Sequence, residues 1–540
     1  MAANDSPYRD LKFLIIDDFP AMCKQIERIL QSAGVESIDV VFNGEKALLA
    51  CSKNKYDVIF ADFNLGAGKN GQQLLEELRH RKLIKSTCAY IMITAEATKD
   101  FVFGALEFAP DTYLNKPFNQ AELLQRLQRI VSEKRSIAPV LMADEAGNLD
   151  LAIELAMSGM HSDPKRRMTY MKMLGDLYIR SSKFDKAKAL FDQVLSVREL
   201  DWAKLGKARA QVELQEFDGA SEILSPMLAQ NTPHMEAYDL MAAIAKQKGD
   251  NRGVQAVLEH AVSVSPKSVK RQKQLANVAE ENNDLLAAES AHKVAMKSSE
   301  YSMHDGPNMY LDYANSVNKV MAIQGPENSD RFKESQRVLT KVKKKFRDPL
   351  VSMRIDMASS RANQLAGNEA EAKALMQKVE SDYALLEGQM GASIGPESRL
   401  EFANLLIANG ERDRAQDVLK ALAEDYPNDE ALGKKIDRVS SEPLSEQGKA
   451  AAVKLNREGK ALLQEKDFSS AVSLFGRALD LYPNNIGLKL NLVLAQIQRM
   501  KVEGRDADVT HDCRNLLESI GELATDSEFH KLYNTLKQSL

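Results

Sequence analysis

The chain has 540 residues, of which 44% are hydrophobic and 28% charged, with a formal net charge of −5. At about 150 residues per domain this length excludes a single compact domain, and so much apolar residue with so little net charge excludes wholesale disorder. Lysine plus arginine (72) nearly balances aspartate plus glutamate (77), so no global basic field exists to hold nucleic acid or anionic lipid, and no nucleic-acid binding is expected.

Cys23, Cys51, Cys88 and Cys513 show no CxxC spacing and no disulfide-scaffold density, which predicts buried, reduced thiols in a cytoplasmic protein. The eight histidines form no HxxxH or HExxH pair, so no transition-metal site is expected. The polar start MAANDSPYRD and the absence of any run of about 18 apolar residues predict neither a signal peptide nor membrane insertion.

In chain order, the apolar run 11–16 ends in Asp17-Asp18 and is followed from Pro20 by a helical pattern (Met22, Ile26, Ile29, Leu30) that stops at Gly34. The alternation repeats with a strand Asp39–Val41, a helix from Gly44, a strand Val58–Ala61 ending at Asp62, and a helix after Gly71. A strand Tyr90–Thr94, a helix through Phe101 and Leu106, a strand Thr112–Leu114 and a last helix through Leu123, Leu127 and Ile130 complete five β/α units. Short apolar strands each followed by a helix predict a doubly wound parallel sheet covered on both faces.

Ligands of such sheets sit outside the carboxyl ends of the strands, where Asp17, Asp18, Asp62, Thr94 and Lys116 all fall. Three carboxylates there offer hard oxygen ligands suited to Mg²⁺, one of them can act as nucleophile toward a phosphoryl group, and Lys116 and the Thr94 hydroxyl can receive phosphate oxygens.

Asp17-Asp18, Asp62, Thr94-Ala95 and Lys116-Pro117, with Tyr113 three residues before the lysine, resemble the receiver domain of two-component response regulators. The resemblance covers about a quarter of the chain and implies the flavodoxin-like fold. It implies Asp62 as phosphoacceptor, with Asp17, Asp18, Asp62 and the backbone carbonyl of Asn64 holding Mg²⁺. Thr94, Ala95, Tyr113 and Lys116 would bind the phosphate and read its presence, while Asn64 and Glu96 would tune dephosphorylation. The family's glycine after the acceptor comes one residue late, at Gly71, so the loop Asn64–Asn70 is expected to be one residue longer.

From Lys134 onward the pattern is all helical. Gly459, Leu462, Phe468, Ala471, Phe475, Ala478 and Pro483 match the small-and-large pattern of a tetratricopeptide repeat, and Leu174-Gly175, Tyr178, Phe184, Ala187 and Phe191 give a second copy. The small residues opening each second helix, Ala152, Ala187, Ala220, Val254 and Ala288, are spaced 35, 33, 34 and 34 residues apart. The next, Ser335, Ala372, Ala415 and Ala471, follow at 47, 37, 43 and 56, which predicts longer helices or inserted loops. The resemblance is to tetratricopeptide proteins, whose solenoids present a concave surface to peptides or helices. The carboxylate clamp of some members is not reproduced, since Asn456 and Lys460 are interchanged and Asn491 alone fits. Lys343–Arg347 reads as a solvated helix end and Trp202 as packing.

These readings predict a receiver over 1–132, a linker over 133–146, helical repeats over 147–439, a hinge over 440–447, and a C-terminal repeat with capping helices over 448–540. The expected function is that of a phosphorelay response regulator, not an enzyme. A histidine kinase or phosphotransfer protein would phosphorylate Asp62, and the receiver would switch the binding of a downstream protein by the repeats. The alternative is a phosphate sink whose repeats only dock the kinase. The short connection after the last receiver helix predicts that the receiver's switching face presses on the first repeat.

Overall fold

In the computed structural model the described residues are 6–95, 109–229, 234–325, 329–390, 394–521, 523, 527 and 529–540. Their contacts divide the chain into two compact units, Met1–Ile323 and Gln324–Leu540. No helix among the described residues is long and apolar enough to cross a membrane.

The first unit opens with β1 (Lys12–Ile16), α1 (Pro20–Ser32), β2 (Ser37–Val41), α2 (Gly44–Lys53), β3 (Val58–Asp62), α3 (Gly71–His80), β4 (Ala89–Thr94), β5 (Thr112–Asn115) and α4 (Gln120–Glu145). The strands form one parallel sheet in the order β2-β1-β3-β4-β5, the flavodoxin-like arrangement. Alternate residues serve opposite faces. Phe13, Ile15, Val58, Phe60, Ile91 and Ile93 pack with α1 and α4, whereas Leu14, Ile16, Ile59, Ala61, Tyr90 and Met92 pack with α2 and α3. The expected helix through Phe101 and Leu106 lies outside the described residues.

The expected linker 133–146 is corrected by the structure, because α4 runs unbroken to Glu145. The apolar stripe that places Leu123, Leu127 and Ile130 under the sheet continues as Ile137, Val140 and Ala143 under the first repeat. Pro139 removes one N–H from the helical ladder, yet burial on both sides of it keeps the helix going. The extension is also gripped from the side. Ser86 Oγ donates to Glu145 Oε2 (2.7 Å), and Lys134 Nζ reaches the Ser86 carbonyl (3.0 Å) and Asp111 (2.9 Å).

The rest of the chain is helical among the described residues. The nine aligned small positions, from Ala152 to Ala471, all lie in second helices, and none is more than 6% exposed. The facing first helices need small residues too, where a large side chain from a second helix fills the space. Phe191 lies against both Gly175 and Gly206, leaving no room for a methyl at either, and Phe475 does the same to Gly459. Trp202 meets Phe191 edge-to-face at 6.2 Å, as packing, and Lys343, Lys344 and Lys345 occupy the last turn of the helix Ser329–Lys345.

First helices of successive repeats are tied by charge. Arg209 bridges Asp176 and Glu236, and the buried Arg271 forks onto Asp239 at 2.8 and 2.7 Å. Glu280 receives Lys319 Nζ at 2.7 Å and faces His292 Nε2 at 3.6 Å. Burial alone would raise the Glu280 carboxyl, but the contacts from His292 and Lys319 outweigh it and hold the group at about 2.

The longer intervals have separate causes. A turn at 300–306 and the 18-residue helix Pro307–Gln324 account for the first, the 22-residue helix Glu369–Met390 lengthens a later one, and an extra helix, Glu430–Val439, the last. The expected hinge 440–447 is instead a tied turn. Buried Asp437 accepts from the backbone N–H of Leu444 (2.7 Å) and Ser445 (2.9 Å) and from the Ser445 hydroxyl, and Asn484 Nδ2 donates to the Val439 carbonyl (3.1 Å). Helix breakers mark where a helix stops, and the loop's own bonds decide whether it bends.

Two expectations follow. Gly206→Ala is expected to destabilise the protein by about 1–3 kcal/mol through overpacking. Gly476, a helical glycine with open space around its Cα, should tolerate alanine and gain up to about 1 kcal/mol. Urea titrations followed by circular dichroism separate the two, and equal responses would refute the packing argument. The second expectation concerns pH. Glu280 is depressed in the fold from its ordinary 4.5 to about 2, so its contribution is present above pH 4.5 and is lost as pH falls toward 2. Acid titration should cost the wild type on the order of 3 kcal/mol over that window, and Glu280→Gln should lack that step.

Candidate functional site

The sheet delivers its polar strand ends to one place. Asp17 follows β1 directly, Asp62 ends β3, Thr94 ends β4 and Lys116 follows β5. Asp17 is fully buried, Asp62 and Thr94 are nearly so, and Asp18 is exposed. Parallel pairing sets these heights, since Asp62 lies opposite Ile93 and Thr94 opposite Asn115.

Lys116 Nζ is shared between Asp62 Oδ2 (2.9 Å) and Asp17 Oδ2 (3.0 Å), while Asp17 Oδ1 accepts the Phe19 N–H (2.8 Å). Burial raises the Asp62 carboxyl, Lys116 opposes that rise, and the Asp17 charge adds to it, leaving the group above its ordinary value. Burial pulls the Lys116 ammonium down, but its bonds to Asp62 and Asp17 prevail and raise it. Two carboxylates share one cation here, so the pocket carries an uncompensated negative charge.

Carboxylate oxygens of Asp17, Asp18 and Asp62 lie within 4.8 Å of one another, the one such group of potential ligands among the described residues. Three hard oxygen donors beside a surplus negative charge fit a divalent cation such as Mg²⁺, which keeps some coordination places for water or phosphate.

The remaining expected residues fall as follows. Asn64 is exposed two residues past Asp62, and Ala95 is exposed just past β4. Glu96 lies outside the described residues. Tyr113 is half-buried against the core on the α2 and α3 side, where burial raises its phenol to about 12. Asn456 and Asn491, considered for a carboxylate clamp, hydrogen-bond to each other at 2.9 Å.

The loop after Asp62 carries positive φ at Gly66 (74°) and Gly68 (105°) and closes at Gly71. A Cβ at Gly71 would overlap the Asp62 carbonyl oxygen, so only glycine lets α3 start against the end of β3. Sequence reasoning missed the charges that hold this loop. Lys69 bonds Glu45 (2.8 Å) and approaches the buried Glu77 (3.4 Å), which also pairs with Arg81 (2.6 Å). The available signal was Glu77 itself, a carboxylate on the same stripe as Leu74 and Leu78 that burial obliges to find a cation.

Mg²⁺ titrated into the full chain is expected to raise its stability with the logarithm of its concentration, by about 2.7 kcal/mol at a hundredfold excess over the dissociation constant. Asp18→Asn, at an exposed position, should abolish that gain, and a gain that persists in the variant would place the ion elsewhere.

Comparison with known proteins places a receiver domain over the residues that build this pocket. The family model described as "Response regulator receiver domain" matches residues 13–128, and two tetratricopeptide repeat models match 178–244 and 397–429. The chain is 30% identical over 122 residues to Chemotaxis protein CheY-3 of Vibrio cholerae, covering 23% of this chain and 92% of that one. To Chemotaxis protein CheY of Pseudomonas aeruginosa it is 29% identical over 120 residues, covering 22% and 95%. A crystal structure of a two-component response regulator from Clostridium difficile is 30% identical, spans 23% of this chain and 97% of its own, and superposes with a TM-score of 0.21. The acidic pocket and Lys116 lie within the matched residues, and the chain belongs to the response regulator receiver family, with tetratricopeptide repeats following the receiver.

Proposed function

We propose that Asp62 accepts a phosphoryl group from a histidine kinase or phosphotransfer protein and that this event switches the binding of another protein by the repeat array. The convergence of Asp17, Asp18, Asp62 and Lys116 on one pocket carries the reading. An Asp62 carboxylate oxygen attacks the phosphorus of a phosphohistidine. The new P–O bond forms as the P–N bond breaks, and the imidazole leaves with the bonding electron pair and takes up a proton. Bound Mg²⁺ would offset charge on the transferring group, held by Asp17, Asp18, Asp62 and the Asn64 carbonyl. Lys116 exchanges the Asp62 carboxylate for a phosphoryl oxygen, and the Thr94 hydroxyl with the backbone at Ala95 receives another.

In this reading Thr94 moves toward the phosphoryl group and Tyr113 turns into the space it leaves, a two-state element that a phosphoryl group biases. Reset is hydrolysis. Water attacks the phosphorus, the acyl P–O bond breaks, and the Asp62 carboxylate and inorganic phosphate are restored, with Asn64 and Glu96 flanking the water's path. The chain is its own phosphoryl acceptor and has no further catalytic role in this proposal. Four buried, unpaired thiols are in keeping with a reducing cytoplasm.

With Mg²⁺ and a small acyl phosphate the wild type is expected to show a shifted band on a phosphate-affinity gel, and Asp62→Asn none. Labelling of the variant at the wild-type level would sink the assignment. Pull-downs with and without a phosphate mimic then identify the output, since recovery of kinases alone would favour a phosphate sink.

A further inference from the structure

The interval between Ala288 and Ser335 is 47 residues where its predecessors are 33–35, and part of the excess is the turn 300–306. The turn is a built element. Ser302 Oγ donates to the Ser299 carbonyl (2.7 Å), and Asp305 accepts from the Tyr301 N–H (3.0 Å) and from Tyr310 Oη (3.0 Å). Tyr301 is held at φ 65°, a left-handed conformation that a residue with a bulky side chain keeps only where its surroundings impose it.

Within the first unit this turn touches the receiver. Gln73 Nε2 donates to the Glu300 carbonyl (3.3 Å), and His304 Nε2 meets Glu76 Oε1 (3.0 Å). Gln73 and Glu76 lie in the first two turns of α3, whose first residue is fastened to the acceptor strand. Gly71 N–H donates to the Phe63 carbonyl (2.8 Å), Tyr90 Oη donates to the Gly71 carbonyl (2.9 Å), and Gly71 lies against the Asp62 carbonyl. A displacement of the loop after Asp62 is therefore passed to the start of α3, and from there to the contact one turn further on. The contact accompanies an Asp62 carboxylate engaged by Lys116, which is the arrangement of the unmodified side chain.

We propose that the turn 300–306 is an intramolecular clasp on α3 that favours the unmodified acceptor site, and that phosphorylation of Asp62 releases it. The inference rests on the reading of Asp62 as phosphoacceptor. It replaces the expected route, pressure of the receiver's switching face on the first repeat, with a direct contact between α3 and a later, irregular repeat. Coupling is reciprocal, so release of the clasp by mutation makes phosphorylation easier, just as phosphorylation frees the turn.

Amide hydrogen exchange of the full wild-type chain, with Mg²⁺ and with or without beryllofluoride, tests this. Added beryllofluoride is expected to change exchange at 62–71 and to speed it at 299–306. A response at 62–71 with none at 299–306 would overturn the clasp while leaving the acceptor reading intact. No response in either segment would overturn both. In parallel, His304→Ala and Glu76→Gln in the full chain should raise the phosphorylated fraction reached with a small acyl phosphate, by about fivefold. Phosphorylation at the wild-type level in both variants would also overturn the proposal.

Discussion

One helix belongs to two cores. The first half of α4 places Leu123, Leu127 and Ile130 beneath the parallel sheet, and its second half places Ile137, Val140 and Ala143 beneath the first repeat. Bending the helix between those sets would uncover apolar surface on one side. The receiver and the start of the array are therefore not beads on a string. Ser86 and Asp111, on either side of β4, add polar grips on the same helix through Glu145 and Lys134.

The acidic pocket follows from the sheet and not from the helices. Parallel strands end at similar heights, so residues far apart in the chain arrive together, and Lys116 reaches Asp17 across 99 positions of sequence. Burial makes the arrangement electrostatically unfinished, with two carboxylates on one ammonium and a third carboxylate at the rim. Such a pocket gains from a divalent cation, and it gains from a group that brings its own oxygens to that cation. The glycine at Gly71 and the Lys69–Glu77 pair then fix where the loop after Asp62 rejoins the fold.

In the array, regularity and irregularity carry different information. The near-constant spacing up to Ala288 reflects the small, buried residue that each second helix carries, while first helices carry the glycines that face Phe191 of a second helix. Departures from the spacing cost nothing in that packing scheme so long as the extra residues lie in turns or longer helices. They are free to serve contacts outside the stack, and the turn 300–306, with its strained Tyr301 and its bonds to α3, is one that does.

Much of this was legible in the residues themselves. The alternation of short apolar strands and helices named the sheet and the order of its elements. The polar residues at the strand ends located the pocket, and the buried small positions marked the second helices. Local patterns of this kind depend on periodicity and on burial of one face, both of which are properties of neighbouring residues. Three things were not legible. The segment 133–146 looked like a connection because Pro139 breaks helices in isolation, and only packing on both sides of it keeps α4 continuous. The segment 440–447 looked like a hinge because its composition ends a helix, whereas the buried Asp437, several residues earlier, ties it down. The charges that secure the loop after Asp62, and the reach of the turn 300–306 to α3 across more than 220 residues, depend on where distant chain segments come to lie. That placement is decided by tertiary packing, since no pattern along the chain encodes the distance between groups it does not bring into sequence proximity.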